Sequence, residues 1–397
     1  MITVFKIEVV TLLSALKMLF LCSLYECEKN RLTMQVHIPL LIICLILCLL
    51  PLKEKWREKW ILPICILLIT VYMAIRYDYG LDFWSYYLAW SDTEHRTGVT
   101  ESLFWLFSSI FPQYYMLVAA TSILLMGAIY FWVKKFIPPQ YYALFFLCFM
   151  CIPGMCFSMM TAMRSVMAFV IVTWGIYNYY IKSERLALYS SVVLVATLMH
   201  NSVIVFLLFP FIGHLIIRVK SYLVFVILIF FTIFSFTGIA QDISTYLFGM
   251  LQGVSNVDAD YYSGYAAKYV SNINGAIIRS TMLFPMFYIC KFANIIKDKT
   301  YGRFYILSVI YMLIYTLSLD FEYRFTLYLY IYFIIALCYC LTKMKLLNKL
   351  IAILPMIAFC IFQLYSYYNL MQAEMFGDYS EGNFFIYETI FDNLPLI

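Results

Sequence analysis

The chain has 397 residues, of which 64% are hydrophobic and only 12% are charged, and its net charge is +5. A soluble domain carries about 25% charged residues, so this composition excludes a water-soluble protein. Together with a mean hydropathy of +0.87, it indicates an integral membrane protein. The positive charges lie in short loops without a basic stripe or recognition motif, so we expect no nucleic-acid partner.

Apolar runs recur along the chain and predict an all-α, polytopic transmembrane helical bundle in a lipid bilayer. A helix needs about 20 mostly apolar residues to cross the hydrocarbon core. Lys17 interrupts the first run and Met34 is an alternative start, so we expect 12 or 13 spans, with outer-face loops of 30–40 residues. The predicted spans are 8–25, 35–52, 60–76, 114–133, 140–157, 164–181, 186–200, 203–217, 221–240, 277–295, 302–319, 325–341 and 348–366.

These runs divide the chain into three parts. Residues 1–34 hold a weak span or a mis-assigned start, and residues 35–366 form the polytopic membrane domain with outer loops 77–113 and 241–276. Residues 367–397 form an acidic outer tail, which we expect to be a solvated, translocated end.

Lysine and arginine are distributed unequally between alternate loops. One set of loops holds thirteen Lys and four Arg, and the other holds one Lys and five Arg. Because positive charge marks cytoplasmic loops, the first set is predicted to be cytoplasmic. A planar guanidinium binds phosphate or carboxylate in a bidentate manner, so the outer arginines indicate chemistry rather than topology. They are Arg76, Arg96, Arg164, Arg279 and Arg324.

The densest polar and aromatic segment lies where a predicted span leaves the membrane on the outer side. Its candidate residues are Arg76, Asp78, Asp82, Trp84 and Tyr86. Aromatic rings stack on the C–H face of sugars and carboxylates accept hydroxyl protons, so the segment is a candidate sugar site. An interfacial Tyr/Trp belt with a snorkelling arginine accounts for the same residues equally well.

Two arginines lie at the beginning of predicted spans. Arg164 follows a predicted short outer turn over residues 157–163, and Arg279 lies just inside the span after the second long outer loop. A cation at a helix N-terminus opposes the helix dipole, so we expect another contact to hold each guanidinium. An arginine that snorkels to lipid headgroups is the alternative.

Further ionisable groups lie near outer span ends. His200 separates two apolar runs of about fifteen residues, which form either two tilted spans or one re-entrant hairpin. An ionisable residue near membrane depth is a functional candidate, and histidine can act as a general base near neutral pH. The alternatives are a structural hydrogen bond for His200 and an internal ion pair of Arg324 with Asp320 or Glu322.

Histidine does not combine with acidic residues or cysteines into a metal-binding pattern in the sequence. No acidic–histidine or cysteine–histidine cluster has metal-ligand spacing. The twelve cysteines fall almost entirely in apolar runs, as small buried side chains do. We therefore expect no cofactor and a metal-independent mechanism.

Several local motifs, taken in order, resemble the EpsG family, which belongs to the wider Wzy-like group of bacterial polysaccharide polymerases. The resemblance covers most of the chain by topology, and it departs in the weak first span and in the acidic tail. The motifs are Arg76…Gly80-Leu-Asp82…Tyr86, Glu101-Ser-Leu-Phe104, Arg164 followed by Ala168, His200-Asn-Ser202 and Glu322-Tyr-Arg324.

This resemblance implies a membrane glycosyltransferase of capsule, exopolysaccharide or O-antigen assembly in the bacterial inner (cytoplasmic) membrane. The enzyme would join undecaprenyl-diphosphate-linked oligosaccharide repeat units on the outer face by an inverting displacement at the anomeric carbon. A chain-length regulator protein is a further candidate partner.

The resemblance also implies roles for individual residues. Arg76 and Asp82 would help to form the sugar-phosphate site. Arg164 and Arg324 would contact the diphosphate, and His200 would be the base or a group that orients the substrate. The remaining predicted substrate-binding residues are Asp78, Trp84, Tyr86, Glu322 and Arg279, the last from its position alone.

Two other functions stay open. A flippase or transporter of lipid-linked sugars predicts charges along a path through the bilayer midplane, whereas the predicted span interiors are nearly free of charge. Transporters also tend to have Gly- or Pro-interrupted spans in matching halves, and the sequence has no internal repeat. A membrane acyl- or single-sugar transferase would alter the decoration of a polymer rather than its length.

Overall fold

The computed structural model describes residues 33–77, 79, 82–92, 101–152, 155–235, 280–293, 295–296, 298–316, 322–375 and 388–389. Helices make up most of this part of the chain, which confirms the predicted all-α membrane protein. The predicted span 8–25, the loop 241–276 and most of the tail lie outside the described residues.

The first half of the chain forms ten α-helices within the described residues, with π-helical turns at Arg57–Ile61 and Tyr177–Ile181 and a 3-10 turn at Pro139–Tyr141. These helices are α1 Thr33–Leu49, α2 Glu54–Trp56, α3 Leu62–Ala74, α4 Phe83–Ser91, α5 Ser102–Ser108, α6 Tyr114–Phe136, α7 Tyr142–Cys151, α8 Cys156–Thr161, α9 Met163–Ile176 and α10 Leu186–Thr197.

The second half begins with a 3-10 helix, Asn201–Leu208, that leads directly into an α-helix. The described helices that follow are α11 Phe209–Arg218, α12 Ser221–Ser235, α13 Leu283–Ala293, α14 Lys299–Thr316, α15 Glu322–Lys343 and α16 Leu346–Met375. Two short strands, β1 Arg76–Tyr77 and β2 Glu388–Thr389, pair antiparallel, so a piece of the tail lies beside the first predicted outer loop.

Large apolar side chains stay exposed on these helices, as a lipid-facing surface requires; Leu106 is 64% exposed and Leu347 is 68% exposed. Among the described helices, Tyr114–Phe136, Asn201–Arg218 and Leu346–Tyr365 are long and apolar enough to cross a membrane, and shorter apolar helices accompany them. The number of spans and their orientation stay predictions.

Two local expectations differ from the structure near residue 152. The predicted span 140–157 is interrupted, because α7 ends at Cys151 and Ile152 is extended, with φ −92° and ψ 114°. Ile152 precedes Pro153 in the sequence, and the proline ring disfavours a helical conformation at the preceding residue. The prediction of a turn over residues 157–163 is wrong for most of that segment, because helix α8 continues to Thr161.

The runs around His200 form two separate helices. α10 ends at Thr197, and after the turn at residues 198–199 the chain continues as a 3-10 and then an α-helix from Asn201 to Arg218. His200 therefore lies at the joint between two helices. The choice between two tilted spans and a re-entrant hairpin stays a prediction.

The chain divides into two compact units, Met1–Ile204 with Cys360–Ile397, and Val205–Phe359. In the first unit α9 packs against α6 and α10, α3 packs against α6, and α1 packs against α7. In the second unit α14 packs along α15, and α12 packs against α13 and α14. The predicted division at residues 34 and 366 stays a prediction.

Helices α9 and α10 approach each other closely at a glycine. A methyl group added to Gly175 would lie 2.9 Å from Cγ1 of Val192, which is inside normal van der Waals contact. This contact brings the end of α9 against the middle of α10.

We expect Gly175→Ala to lower the thermal unfolding midpoint of the purified protein in detergent, because overpacking a core costs about 1–3 kcal/mol. Val192→Ala in the same chain makes room and should restore most of the loss. Gly127→Ala is the matched control, since nothing lies within 4 Å of its added methyl, and alanine favours a helix over glycine. Equal midpoints for Gly175→Ala and Gly127→Ala would contradict the close approach.

Candidate functional site

Four segments of the first unit bring polar side chains together. Tyr86 lies on α4, Glu101 directly precedes α5, Arg164 is the second residue of α9, and His200 follows α10. The backbone N–H of Leu103 donates a hydrogen bond to the carbonyl of Leu198 over 3.2 Å. This bond holds the beginning of α5 against the end of α10, so that Glu101 faces His200.

The Glu101 carboxylate is the centre of the cluster. Its Oε2 atom accepts a charged hydrogen bond from Nη1 of Arg164, and its Oε1 atom lies 2.8 Å from Nδ1 of His200. The backbone N–H of Asn201 also donates to Oε1, over 3.3 Å. The Glu101 side chain is only 5% exposed, so these contacts replace its hydration.

Arg164 has a second partner on α4. Its Nε donates to the hydroxyl oxygen of Tyr86 over 3.1 Å, and its Cζ lies 5.1 Å from the centroid of the same ring. The sequence predicted that another contact must hold Arg164 at the beginning of a helix, and Glu101 and Tyr86 provide it. The Arg164 side chain is 29% exposed, so it stays partly accessible.

The surroundings fix the protonation states of two of these groups. Burial raises the pKa of Glu101, but the hydrogen bond from His200 and the charge of Arg164 outweigh burial and hold the pKa below its ordinary value. Burial raises the pKa of Tyr86 to about 12, partly offset by Arg164. Glu101 is therefore an anion at neutral pH, and Tyr86 keeps a hydroxyl proton that it can donate.

A cavity of about 230 Å³ opens beside Arg164. Pockets for drug-sized ligands measure roughly 300–1,000 Å³, so this one fits a smaller group, such as a single sugar ring. An indole, a carboxylate, a hydroxyl and a guanidinium together suit a polyhydroxylated, anionic ligand. The lining residues are Asp82, Ser85, Tyr86, Leu88, Ala89, Trp105 and Arg164.

The structure brings together four of the predicted site residues. Asp82, Tyr86 and Arg164 line the cavity, and His200 is joined to Arg164 through Glu101.

Two predicted residues lie apart from the cavity lining. Arg76 is buried, and it donates to the carbonyl of Met73 and, over 2.9 Å, to Oγ of Ser122. Trp84 is 37% exposed and contacts the rings of Phe83 and Tyr87 edge-on. Their predicted part in substrate binding stays a prediction.

Four predicted residues cannot be placed in the cluster. Asp78 and Arg279 lie outside the described residues. Glu322 and Arg324 belong to the first turn of α15, in the second unit, and only their backbone is described.

Sequence reasoning missed Glu101 as a site residue and used it only within a motif. The available signal was a carboxylate directly before the apolar run Ser102–Ser108, where burial requires a partner.

Two buried polar atoms at the joint between α10 and the following 3-10 helix, Nε2 of His200 and Oγ of Ser202, have no hydrogen-bond partner among the described residues. A buried polar group left without a partner costs about 1–3 kcal/mol, so both atoms are candidates for contact with a polar group outside the described residues.

Comparison with known protein families matches residues 59–385 to the EpsG family. The matched range includes the cavity, Glu101, Arg164 and His200. No curated protein and no solved structure matches the chain at a significant level.

The lowered pKa of Glu101 makes stability depend on pH. Because the folded carboxylate has a lower pKa than the unfolded one, its contribution is present above the unfolded value and is lost as the pH falls through the folded value. At pH 7 we expect wild type to be more stable than Glu101→Gln by roughly 1–3 kcal/mol. The difference in thermal midpoint should shrink on acidification to about pH 3; a difference independent of pH would contradict this account.

Proposed function

The chain belongs to the EpsG family of Wzy-like polysaccharide polymerases, and we propose that it polymerises undecaprenyl-diphosphate-linked oligosaccharide repeat units. The reaction takes place on the outer face of the bacterial inner membrane, in the synthesis of a surface polysaccharide. One observation carries the proposal: the Glu101 carboxylate joins a histidine to an arginine that lines a sugar-sized cavity.

Arg164 would bind the diphosphate of the donor lipid. Its Nε and Nη1 atoms are committed to Tyr86 and Glu101, which leaves the Nη2 edge of the guanidinium for a phosphate oxygen. A fixed positive charge stabilises the negative charge that develops on a leaving diphosphate. Because Arg164 lines the cavity, a diphosphate bound to it would place the attached sugar there.

His200 would act as the general base. The oxygen of an acceptor hydroxyl attacks the anomeric carbon of the donor sugar, and the bond from that carbon to the diphosphate oxygen breaks. The electron pair of the broken bond leaves with the undecaprenyl diphosphate. The hydroxyl proton passes to His200 and then to water, so that the products are the longer lipid-linked glycan and the free lipid diphosphate, with inversion at the anomeric carbon.

The cavity would hold the sugar next to the reacting bond. The Asp82 carboxylate can accept hydrogen bonds from sugar hydroxyls, the Tyr86 hydroxyl can donate one, and Trp105 supplies an aromatic wall. Arg76, Asp78, Trp84, Arg279, Glu322 and Arg324 stay in the proposal as predicted residues that would contact more distant parts of the donor or acceptor.

A metal ion is not part of the proposed mechanism. No group of three or more His, Cys, Asp or Glu side chains in the described part of the chain is placed to hold a metal ion. The guanidinium of Arg164 would supply the charge stabilisation that a metal provides elsewhere. Metal independence stays a prediction, and turnover that persists in excess chelator would support it.

In a polymer-producing strain, we expect Arg164→Ala and His200→Ala to replace long polymer with single repeat units, since losing one transition-state contact costs about a hundredfold or more in rate. Arg164→Lys should also fail, because an ammonium on a flexible stem does not reproduce the planar fork by which the guanidinium reaches Tyr86, Glu101 and a phosphate. Arg185→Ala, at an exposed position before α10, is the control and should give normal polymer. Normal polymer from Arg164→Ala and His200→Ala at wild-type membrane levels would refute the assignment.

The location of untransferred repeat units separates the proposed polymerase from a flippase. Deleting a polymerase should leave single lipid-linked units on the outer face, where a membrane-impermeant sugar label reaches them. Deleting a flippase should leave them on the inner face, out of reach of the label. Polymer of normal length with altered decoration would instead indicate an acyl- or single-sugar transferase.

A further inference from the structure

The two ring nitrogens of His200 have different surroundings. Nδ1 lies 2.8 Å from Oε1 of Glu101, whereas Nε2 is buried and has no hydrogen-bond partner among the described residues. An ionised carboxylate can only accept hydrogen bonds, so Nδ1 carries the proton. In the neutral ring Nε2 then holds the lone pair that a base needs.

Glu101 is itself held from three directions. Arg164 binds the oxygen that does not face His200, the Asn201 N–H binds the other oxygen, and the Leu103–Leu198 hydrogen bond fixes the adjacent backbone. The carboxylate therefore cannot rotate without breaking an ion pair that is shielded from water. A salt bridge that only joined two helices would not need all of these contacts. Together they orient both the His200 ring and the Arg164 guanidinium.

We propose that Glu101 is the positioning residue of this site: it holds His200 as the Nδ1–H tautomer with Nε2 ready to accept a proton, and it turns Arg164 towards the cavity. The inference rests on the proposed function for the identity of the reaction, but the tautomer can be tested without it. Glu101 keeps its charge throughout, and when Nε2 takes the acceptor proton the carboxylate stabilises the resulting imidazolium.

Oγ of Ser202 fits the same arrangement. It is the second buried polar atom at the joint that has no partner among the described residues, and it lies two residues after His200. An acceptor hydroxyl bound at this joint would donate to Nε2 of His200 or accept from the Ser202 hydroxyl. The segment His200–Ser202 would thus select an acceptor that presents a hydroxyl group.

The test is to determine which nitrogen of His200 is protonated, by nitrogen-15 NMR of histidine-labelled, full-length protein in lipid bilayers near pH 8. The chain has four histidines, and the signals lost in His200→Ala identify His200. We expect protonated Nδ1 and unprotonated Nε2 in wild type. In Glu101→Gln the side-chain amide can donate to Nδ1, and the reverse tautomer should appear. Unprotonated Nδ1 in wild type would overturn the proposal.

Kinetics with the lipid-linked repeat unit extracted from a polymerase-deleted strain give the second measurement. Glu101→Gln should lower kcat by about a thousandfold or more, by analogy with other carboxylate–histidine pairs, with KM within a few-fold of wild type. Glu101→Asp, which keeps the carboxylate, should recover much of kcat. Wild-type kcat in Glu101→Gln would overturn the positioning role.

The proposed polymerase function and the proposed positioning role of Glu101 can be refuted independently of each other. Wild-type protein that shows the expected tautomer but does not lengthen the lipid-linked glycan would refute the polymerase and leave the Glu101–His200 arrangement intact. If Glu101→Gln does not accumulate in the membrane, the tautomer of wild type and the kinetics of Glu101→Asp still decide the question.

Discussion

The carboxylate of Glu101 is the constraint on which the site depends. Burying a charge is costly unless it is paired and hydrogen-bonded, and here one buried carboxylate neutralises Arg164 and binds His200 at the same time. Removing one member of such a group leaves a charge without its partner, which destabilises the fold. The cluster thus ties the beginnings of α5 and α9 and the end of α10 into a single arrangement, and it does so within one unit of the chain.

This arrangement works against local helix electrostatics. Arg164 lies in the first turn of α9, where the helix dipole disfavours a cation. Glu101 and the electron-rich face of Tyr86 offset that penalty. A protein that only needed stability would place an acidic or neutral residue there, so the conflict between local preference and tertiary contact supports the proposed role of Arg164 in the reaction.

The helices could be predicted from the sequence more completely than the site. Apolar runs predicted α3, α6 and α10 within a few residues, because a bilayer demands long apolar segments whatever their neighbours are. Pro153 was a sequence signal that the predicted span 140–157 is interrupted after Cys151, but the prediction did not use it. Glu101 could not be assigned, since its partners Arg164 and His200 lie 63 and 99 residues away. No local pattern specifies contacts over such separations, whereas the Arg164 and His200 positions carried a signal of their own.

The contacts of Arg164 give a physical reason why arginine rather than lysine is found at the predicted outer face. Its guanidinium donates through Nε to a phenol and through Nη1 to a carboxylate, in one plane. A planar fork can satisfy both partners and still present a third N–H edge, whereas an ammonium on a flexible stem has no fixed edge to present. Positive charge for topology alone needs no such geometry. The choice of cation at this position therefore fits the need to hold two protein groups while leaving one edge for the proposed diphosphate.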